Sequence, residues 1–474
     1  MRTRLVGTGL AVLVGVAGLA VSAGPAAAAP LARPADPVVL TGAALPTFVN
    51  GSKTTIVGFR WTGSAWAKVP IQIDERAVVN FGKIYKNYLG SFYGSTPSLV
   101  NQLVYTSGNT WTGNDPNPSF DADDELVFMG RDAGAQSVGG NPTGTVAGSG
   151  VEIKVTDPLA PGAQGFVYLF RKAAGSTLTP GAGAHYVKYA FKLLSGAYKT
   201  TYQLTSGPNP ENSLVTGATY RHHFSDRWAS DNIEITAPGA SGVDILDRHK
   251  ALFAPGVCGR SEDTFDMPIA GSVEGAFVTT KVGPVRAIRS IVGANSGPNT
   301  QRTYFFYDRR EDIVTNLRVH QIPSIIDFMD YSPAASGMTY RSEANPTGVT
   351  IDGNPDALAP GLSSWEQVTG AQGTIDLVGY VQTTGFTPTG VGDYFNDDST
   401  PADAQCTGDA FAYGSSGFYF NGTIPNTDPA TGGTASLTGT RVLYFESPGA
   451  TAADATARRN QVVFPLGTQV APAP

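Results

Sequence analysis

The run Asp115-Pro-Asn117-Pro-Ser119-Phe120-Asp121-Ala-Asp123-Asp124-Glu125 places five carboxylates and two neutral oxygen side chains in eleven residues. Hard divalent cations take such oxygens, calcium accepting six to eight of them. The spacing is not that of an EF-hand loop. Counted from Asp115, the sixth position is Phe120 where a glycine is needed, and the twelfth is Leu126 where a glutamate is needed. Alternate residues of an extended segment share a face, so Asp115, Asn117, Asp121 and Asp123, with Ser119 between and Asp124 beside them, read as ligands of a structural calcium. The competing reading is a solvated acidic turn leading into a strand at 125–129. A second acidic group, Asp393, Asn396, Asp397, Asp398, Asp403 and Asp409, brackets Cys406. It reads either as another metal loop or as a polar loop, since Gly, Ser, Thr and Pro are scattered through it.

Proton transfer near neutrality points to the histidines, three of which (His222, His223 and His249) fall within 28 residues. If Tyr220-Arg-His-His-Phe-Ser-Asp-Arg-Trp228 is extended, Tyr220, His222, Phe224, Asp226 and Trp228 share one face and Arg221, His223 and Arg227 the other. The bland alternative is that these rings are satisfied groups covering a sheet. A zinc site from the three histidines is disfavoured, because adjacent strand residues face opposite ways and no HExxH spacing exists. Further on, Asn316, Arg318 and His320 share the polar face of a strand, which runs into a loop carrying Asp327, Asp330 and Tyr331 and then Tyr340-Arg341-Ser-Glu343.

A polysaccharide lyase would use Tyr or His to remove a proton beside a uronic carboxylate neutralised by Arg, Asn or a metal. A glycoside hydrolase would use two carboxylates as an acid and a base or nucleophile. The catalytic candidates are therefore Tyr220, His222, His223, Asp226, Asp330, Tyr331, Tyr340 and Glu343, with Arg227, Trp228, Asn316, Arg318, His320 and Arg341 as substrate-binding candidates. Gly-x-Ser-x-Gly, the phosphate-binding Gly-x-x-x-x-Gly-Lys-Ser/Thr loop, a Rossmann glycine signature and Cys-x-x-Cys-His are all missing from the sequence. No nucleotide, flavin or haem is expected, and serine esterase chemistry is disfavoured.

These groups must be positioned by strands. Short apolar or alternating runs bounded by Gly, Pro, Asn or Ser occur at 54–61, 67–73, 125–129, 151–155 and 165–171. The Gly/Ser/Thr/Pro stretch 173–184 reads as a linker. Beyond it lie strand signals at 186–194, 200–204, 215–228, 233–235, 275–281 and 285–292, then a hairpin of 303–307 with 313–319 across the charged turn 308–312. Others are at 364–368, 374–382, 417–420 and 441–446. Only 451–461, with its Thr-x-x-Asp start, reads as a helix. The expected fold is all-β: a small N-terminal β-sandwich over 37–172, then a larger antiparallel two-sheet sandwich over 185–474. Gly283-Pro-Val-Arg286, the Gly-rich turn after it and the paired aromatic and Arg-bearing strands resemble the large supersandwiches of galactose-mutarotase-like carbohydrate enzymes, over 186–321. That resemblance implies a sugar ligand.

Residues 1–28 open with Arg2 and Arg4, continue apolar from Leu5 to Val21 and end on Ala26-Ala27-Ala28, the pattern of a secretory signal peptide. A secreted, extracellular protein is expected, with no membrane span after cleavage. The 57 Gly, 33 Pro, 10% aromatics and 15% charged residues favour folded strands and turns over disorder. A net charge of −7 without a basic run argues against a nucleic-acid partner, and a monomer acting on a polysaccharide or glycan is the expectation. Cys258 and Cys406, the only two cysteines, are expected to form a disulfide in an oxidising compartment. The leading functional reading is a secreted polysaccharide lyase or glycoside hydrolase. Its rival is a non-catalytic, calcium-stabilised extracellular protein that binds glycans or another protein.

Overall fold

Alternation decides the first layer. Val151, Ile153 and Val155 of strand Val151–Thr156 are buried while the residues between them are half-exposed, as a sheet with one wet face requires. The computed structural model describes residues 31–81, 101–194, 211–253, 276–293, 297, 299–399 and 412–474. The leader 1–28, Cys258, Cys406, Asp403 and Asp409 lie outside the described residues, and so does the strand signal at 200–204. Among the described residues there is one α-helix, Ala452–Val463, and every strand pairing is antiparallel. No helix among them is long and apolar enough to cross a membrane.

The N-terminal sandwich packs a three-stranded sheet, Pro37–Thr41, Glu125–Met129 and Gln72–Asp74, on a five-stranded sheet that contains Ile56–Trp61, Val151–Thr156 and Gln164–Arg171. Val38, Leu40, Leu126 and Phe128 from one sheet meet Ile56, Ile153, Val155, Val167 and Leu169 from the other. One edge strand of the five-stranded sheet comes from the far end of the chain. Strand Gly467–Pro472 pairs with Val151–Thr156, Val470 lying opposite Ile153. The domain limits drawn from sequence put these residues in the larger sandwich; the chain instead returns to cover the edge of the first one, and edge coverage is what an unpaired ladder needs.

The larger sandwich is built on a nine-stranded sheet in which Gln301–Phe306, Arg310–Leu317, Ser436–Glu446, Gly373–Thr384 and Trp365–Gly370 lie side by side. Two four-stranded sheets cover it. One contains Ser213–Thr216, Tyr220–Phe224 and Ser230–Ile235, the other Leu246–Phe253, Ile325–Tyr331, Ser415–Phe420 and Val391–Tyr394. The hairpin expected at 303–319 forms, with Thr303 opposite Val314. The run 215–228 is broken by a turn at Gly217, whose Cβ would collide with Asp308 and Tyr220, giving two antiparallel strands instead of one. Residues 327–331, read as loop, are instead the centre of a wholly buried strand, Ile325–Tyr331. Its two aspartates are matched internally, Asp327 by Arg302 and His249 and Asp330 by Lys250, which lets acids sit where apolar residues normally would.

Charges also join the two sandwiches. Arg286 is buried and reaches Asp74 (2.9 Å) and Glu125 (2.7 Å), while Arg310 reaches Asp36 (2.9 Å) and Arg131 reaches Asp308 (2.9 Å). The helix Ala452–Val463 lies against Gly373–Thr384 and Trp365–Gly370, opened by the Thr451/Asp454 capping box.

Candidate active site

The sequence candidates do not gather in one place. Tyr220, His222 and Phe224 do share a face, and it is the core face. Tyr220 stacks on Phe445 and donates to the Tyr307 carbonyl at 2.9 Å. His222 is buried between Glu311 (2.9 Å) and Ser230 (2.5 Å) and stacks on Phe224. His223, on the outer face, lies 2.7 Å from Asp231 and 2.9 Å from Asn212. Alternation stops at Phe224: Asp226 accepts from the Arg227 amide, and Arg227 and Trp228 are buried in the turn that follows. Arg302 lies over the Trp228 ring. Buried histidine and tyrosine held by donors and acceptors inside a sheet pair are structural groups, the bland reading of this segment.

The hairpin face is likewise scattered. Asn316 accepts from Thr438 (3.1 Å), and Arg318 is held by the Asn299 carbonyl (2.9 Å) and Gln102 (2.9 Å) over the Phe81 ring. The strand ends at Leu317, so His320 sits exposed in the loop after it. His222, Arg318 and Tyr340 thus occupy separate surroundings and form no common cleft.

The acidic run is curled, not extended. Amides of Asn117, Ser119 and Asp123 each donate to the side chain two residues back, to Asp115, Asn117 and Asp121 respectively. These turns bring Asp115, Asp121 and Asp124 together, while Asn117 spends its amide on Asp121 at 2.8 Å. In the second acidic group Asp397 accepts from the Asp352 and Gly353 amides, both at 2.8 Å, as a polar loop anchor does.

One concave site stands out between the nine-stranded sheet and its cover. A pocket of about 610 Å³ is lined by Glu366, Asp393 and Arg441 among Leu362, Tyr380, Val381, Phe418 and Phe420, a size and composition suited to a small organic ligand. Glu366 lies on strand Trp365–Gly370, opposite Leu377 and in phase with the core residue Val368. Arg441 lies on Ser436–Glu446 in phase with the core residues Leu443 and Phe445. Both are ionisable groups projected inward by a strand face that is otherwise apolar.

Glu366 is 5% exposed, and its Oε1 accepts from the Tyr340 hydroxyl (2.6 Å) and the Gly417 amide (3.1 Å). Burial, and then the charge of Asp393, push its carboxyl up to about 8, so it carries a proton at neutral pH. With Oε1 accepting twice, that proton belongs on Oε2. Asp393 accepts from the Ser363 amide (2.6 Å) and hydroxyl (2.5 Å), and burial raises its carboxyl as well. Arg441 lies over the Phe418 ring and donates to the Asp327 carbonyl, but its buried Nε has no hydrogen-bond partner. Behind it, burial and the Arg302 charge push His249 down to about 3. Burial opposes ionisation of Asp327, yet Arg302 and Arg441 hold its carboxyl far below the usual range.

Several sequence candidates border this pocket from behind. Tyr340 holds Glu366, Glu343 accepts from the Ser364 amide and hydroxyl, Arg341 donates to Gln367 (3.0 Å), and Tyr331 shares a proton with Ser416 at 2.6 Å. Asp330 is spent on Lys250 (2.5 Å). Glu366, Asp393 and Arg441 were not among the catalytic or binding candidates. The signal that could have found Glu366 and Arg441 is a charged residue in the inward phase of a strand.

No protein-family model matches the chain, and no curated protein does. Solved structures resemble it at low identity. The Slr1438 protein of Synechocystis sp. PCC 6803 is 9% identical over 52% of this chain and 100% of its own, with a TM-score of 0.30. A heparinase III is 10% identical over 54% of this chain and 36% of its own, with a TM-score of 0.27. A galactose mutarotase-like protein from Clostridium acetobutylicum is 9% identical over 56% of this chain and 99% of its own, with a TM-score of 0.28. At this distance the likeness says nothing of chemistry, which rests on the pocket's own residues.

Proposed function

We propose that this chain is a secreted glycoside hydrolase whose active site is the pocket between the nine-stranded sheet and the strand Ser415–Phe420. The observation that carries the reading is Glu366, a carboxyl kept protonated in a pocket that also holds a second carboxyl, Asp393. Hydrolysis of a glycosidic bond asks for that pair. Glu366 Oε2 gives its proton to the leaving oxygen as the bond from the anomeric carbon breaks. A water adds to that carbon and passes its proton to Asp393. The Arg441 guanidinium binds a sugar oxygen, and Phe418 offers an aromatic surface to the apolar face of the sugar. Tyr340, Tyr331 and His249 are hydrogen-bonded behind the site, which favours paired carboxyls over a lyase's phenolic or imidazole base.

The test is a panel of neutral and acidic polysaccharides incubated with the mature protein, Glu366→Gln and Asp393→Asn. Release of reducing ends by the wild-type protein, lost in both variants, is expected. New unsaturated ends instead would make it a lyase. Glycan binding with neither product would make the pocket a binding site and overturn the enzymatic reading.

A further inference from the structure

Asp115, Asp121 and Asp124 each present a carboxylate oxygen, and the three oxygens lie within 4.8 Å of one another. Two of the three groups are withdrawn from water, Asp124 completely and Asp115 to 8% exposure. Asp124 is satisfied by the amides of Arg76 (2.9 Å) and Asp121 (3.0 Å), which fix its carboxylate in place. Asp115 is not. Its Oδ1 accepts from the Asn117 amide at 2.8 Å, while its Oδ2 is buried with no hydrogen-bond partner. Leaving a carboxylate oxygen out of water without a donor is unfavourable, and more so beside two further acids. Among the described residues the neighbouring basic side chains are engaged elsewhere, Lys53 with Glu75 and Arg76 with Glu125.

We propose that Asp115, Asp121 and Asp124 form a calcium site in which the buried, unpartnered Asp115 oxygen is a ligand. Three acids compensate a divalent charge, and water and loop carbonyls fill the remaining positions, as calcium's flexible shell allows. Calcium is preferred to magnesium because its shell accepts an irregular set of protein oxygens, whereas magnesium demands near-ideal octahedral geometry and gives up its waters reluctantly. The ion would act on the sandwich junction. Asp124 directly precedes strand Glu125–Met129, and Glu125 is the carboxylate that receives both Arg76 and Arg286. Calcium bound here holds the start of that strand, and with it the charged seam between the two sandwiches.

The protein is stripped with EGTA, titrated calorimetrically with calcium chloride or magnesium chloride, and melted with and without each salt. One saturable calcium site at or below millimolar Kd is expected, the range of extracellular modules, with Tm rising by a few degrees in excess calcium. Asp121→Asn alters the half-exposed ligand and should fold normally by circular dichroism; it and Asp115→Asn should each bind calcium at least about tenfold more weakly. The absence of both binding heat and a Tm shift at saturating millimolar calcium overturns the proposal. Calcium binding retained by both variants also overturns it, since the ion then sits elsewhere, and equal affinity for magnesium overturns the choice of calcium. None of these results depends on Glu366.

Discussion

Tyr340 donates its phenolic proton to Glu366 Oε1 at 2.6 Å, from a side chain that is itself fully buried. Among the described residues the hydroxyl serves no other acceptor, so it fixes which carboxyl oxygen of Glu366 faces the pocket as the proton-bearing one. Through this bond a residue that never touches solvent orients the group proposed to do the chemistry.

Glu366→Gln keeps the shape and loses the transferable proton, and activity should fall on the order of 10²–10⁴-fold, the usual contribution of a positioned acid. Tyr340→Phe should act differently. The lost hydrogen bond stabilised the ionised carboxylate, so Glu366 should titrate higher, and the basic limb of the pH–rate profile should move upward. An unmoved limb in Tyr340→Phe would remove Glu366 from the role of acid.

Stability should carry the same signature. The folded-state pKa of Glu366, about 8, lies above its ordinary value of 4.5, so the folded protein holds a proton that the unfolded chain has released. The associated stability is therefore fully present below about pH 4.5 and lost as pH rises through about 8, at up to about 1.4 kcal/mol per pH unit. Denaturant unfolding across this window should show the decline in wild-type protein and a flatter profile in Glu366→Gln.

Arg286 joins the sandwiches by reaching Asp74 and Glu125 from a buried position. Arg286→Ala takes one of two cations from each acid, leaving Asp74 with Lys281 and Glu125 with Arg76, and should destabilise by less than the about 3–5 kcal/mol of a buried charge left wholly unpaired. Arg286→Lys should recover only part of this, since one ammonium cannot replace a forked guanidinium. Chemical denaturation of the three proteins measures it, and equal midpoints would mean that the seam is held by its apolar contacts.

Removal of residues 467–474 uncovers the edge strand Val151–Thr156. Amides of that strand which now face the C-terminal strand should lose hydrogen-exchange protection, while those of Arg310–Leu317 in the middle of the nine-stranded sheet keep theirs. Uniform loss across both sandwiches would show instead that they unfold as one unit.

The chain by itself determined its class of architecture. Alternation in 151–155, the continuous apolar run at 125–129, the charged turn between an aromatic-rich strand and an aliphatic one and the Thr-x-x-Asp opening of the one helix each act over a few residues, and local physics is what a sequence displays directly. It also marked Asp115, Asp121 and Asp124, because acids close in sequence are visible together. Tertiary structure alone decided the rest. Whether His222 faces a groove or a core depends on the strand that covers it, and Glu311 and Ser230 were waiting there. Ile325–Tyr331 could be a buried strand only because His249, Lys250 and Arg302, distant in sequence, arrive to neutralise its two aspartates. Glu366, Asp393 and Arg441 come from three strands in two sheets. Their shared pocket, and the burial that keeps Glu366 protonated, exist only once those sheets have packed, since desolvation is a property of surroundings and not of any residue's own spacing.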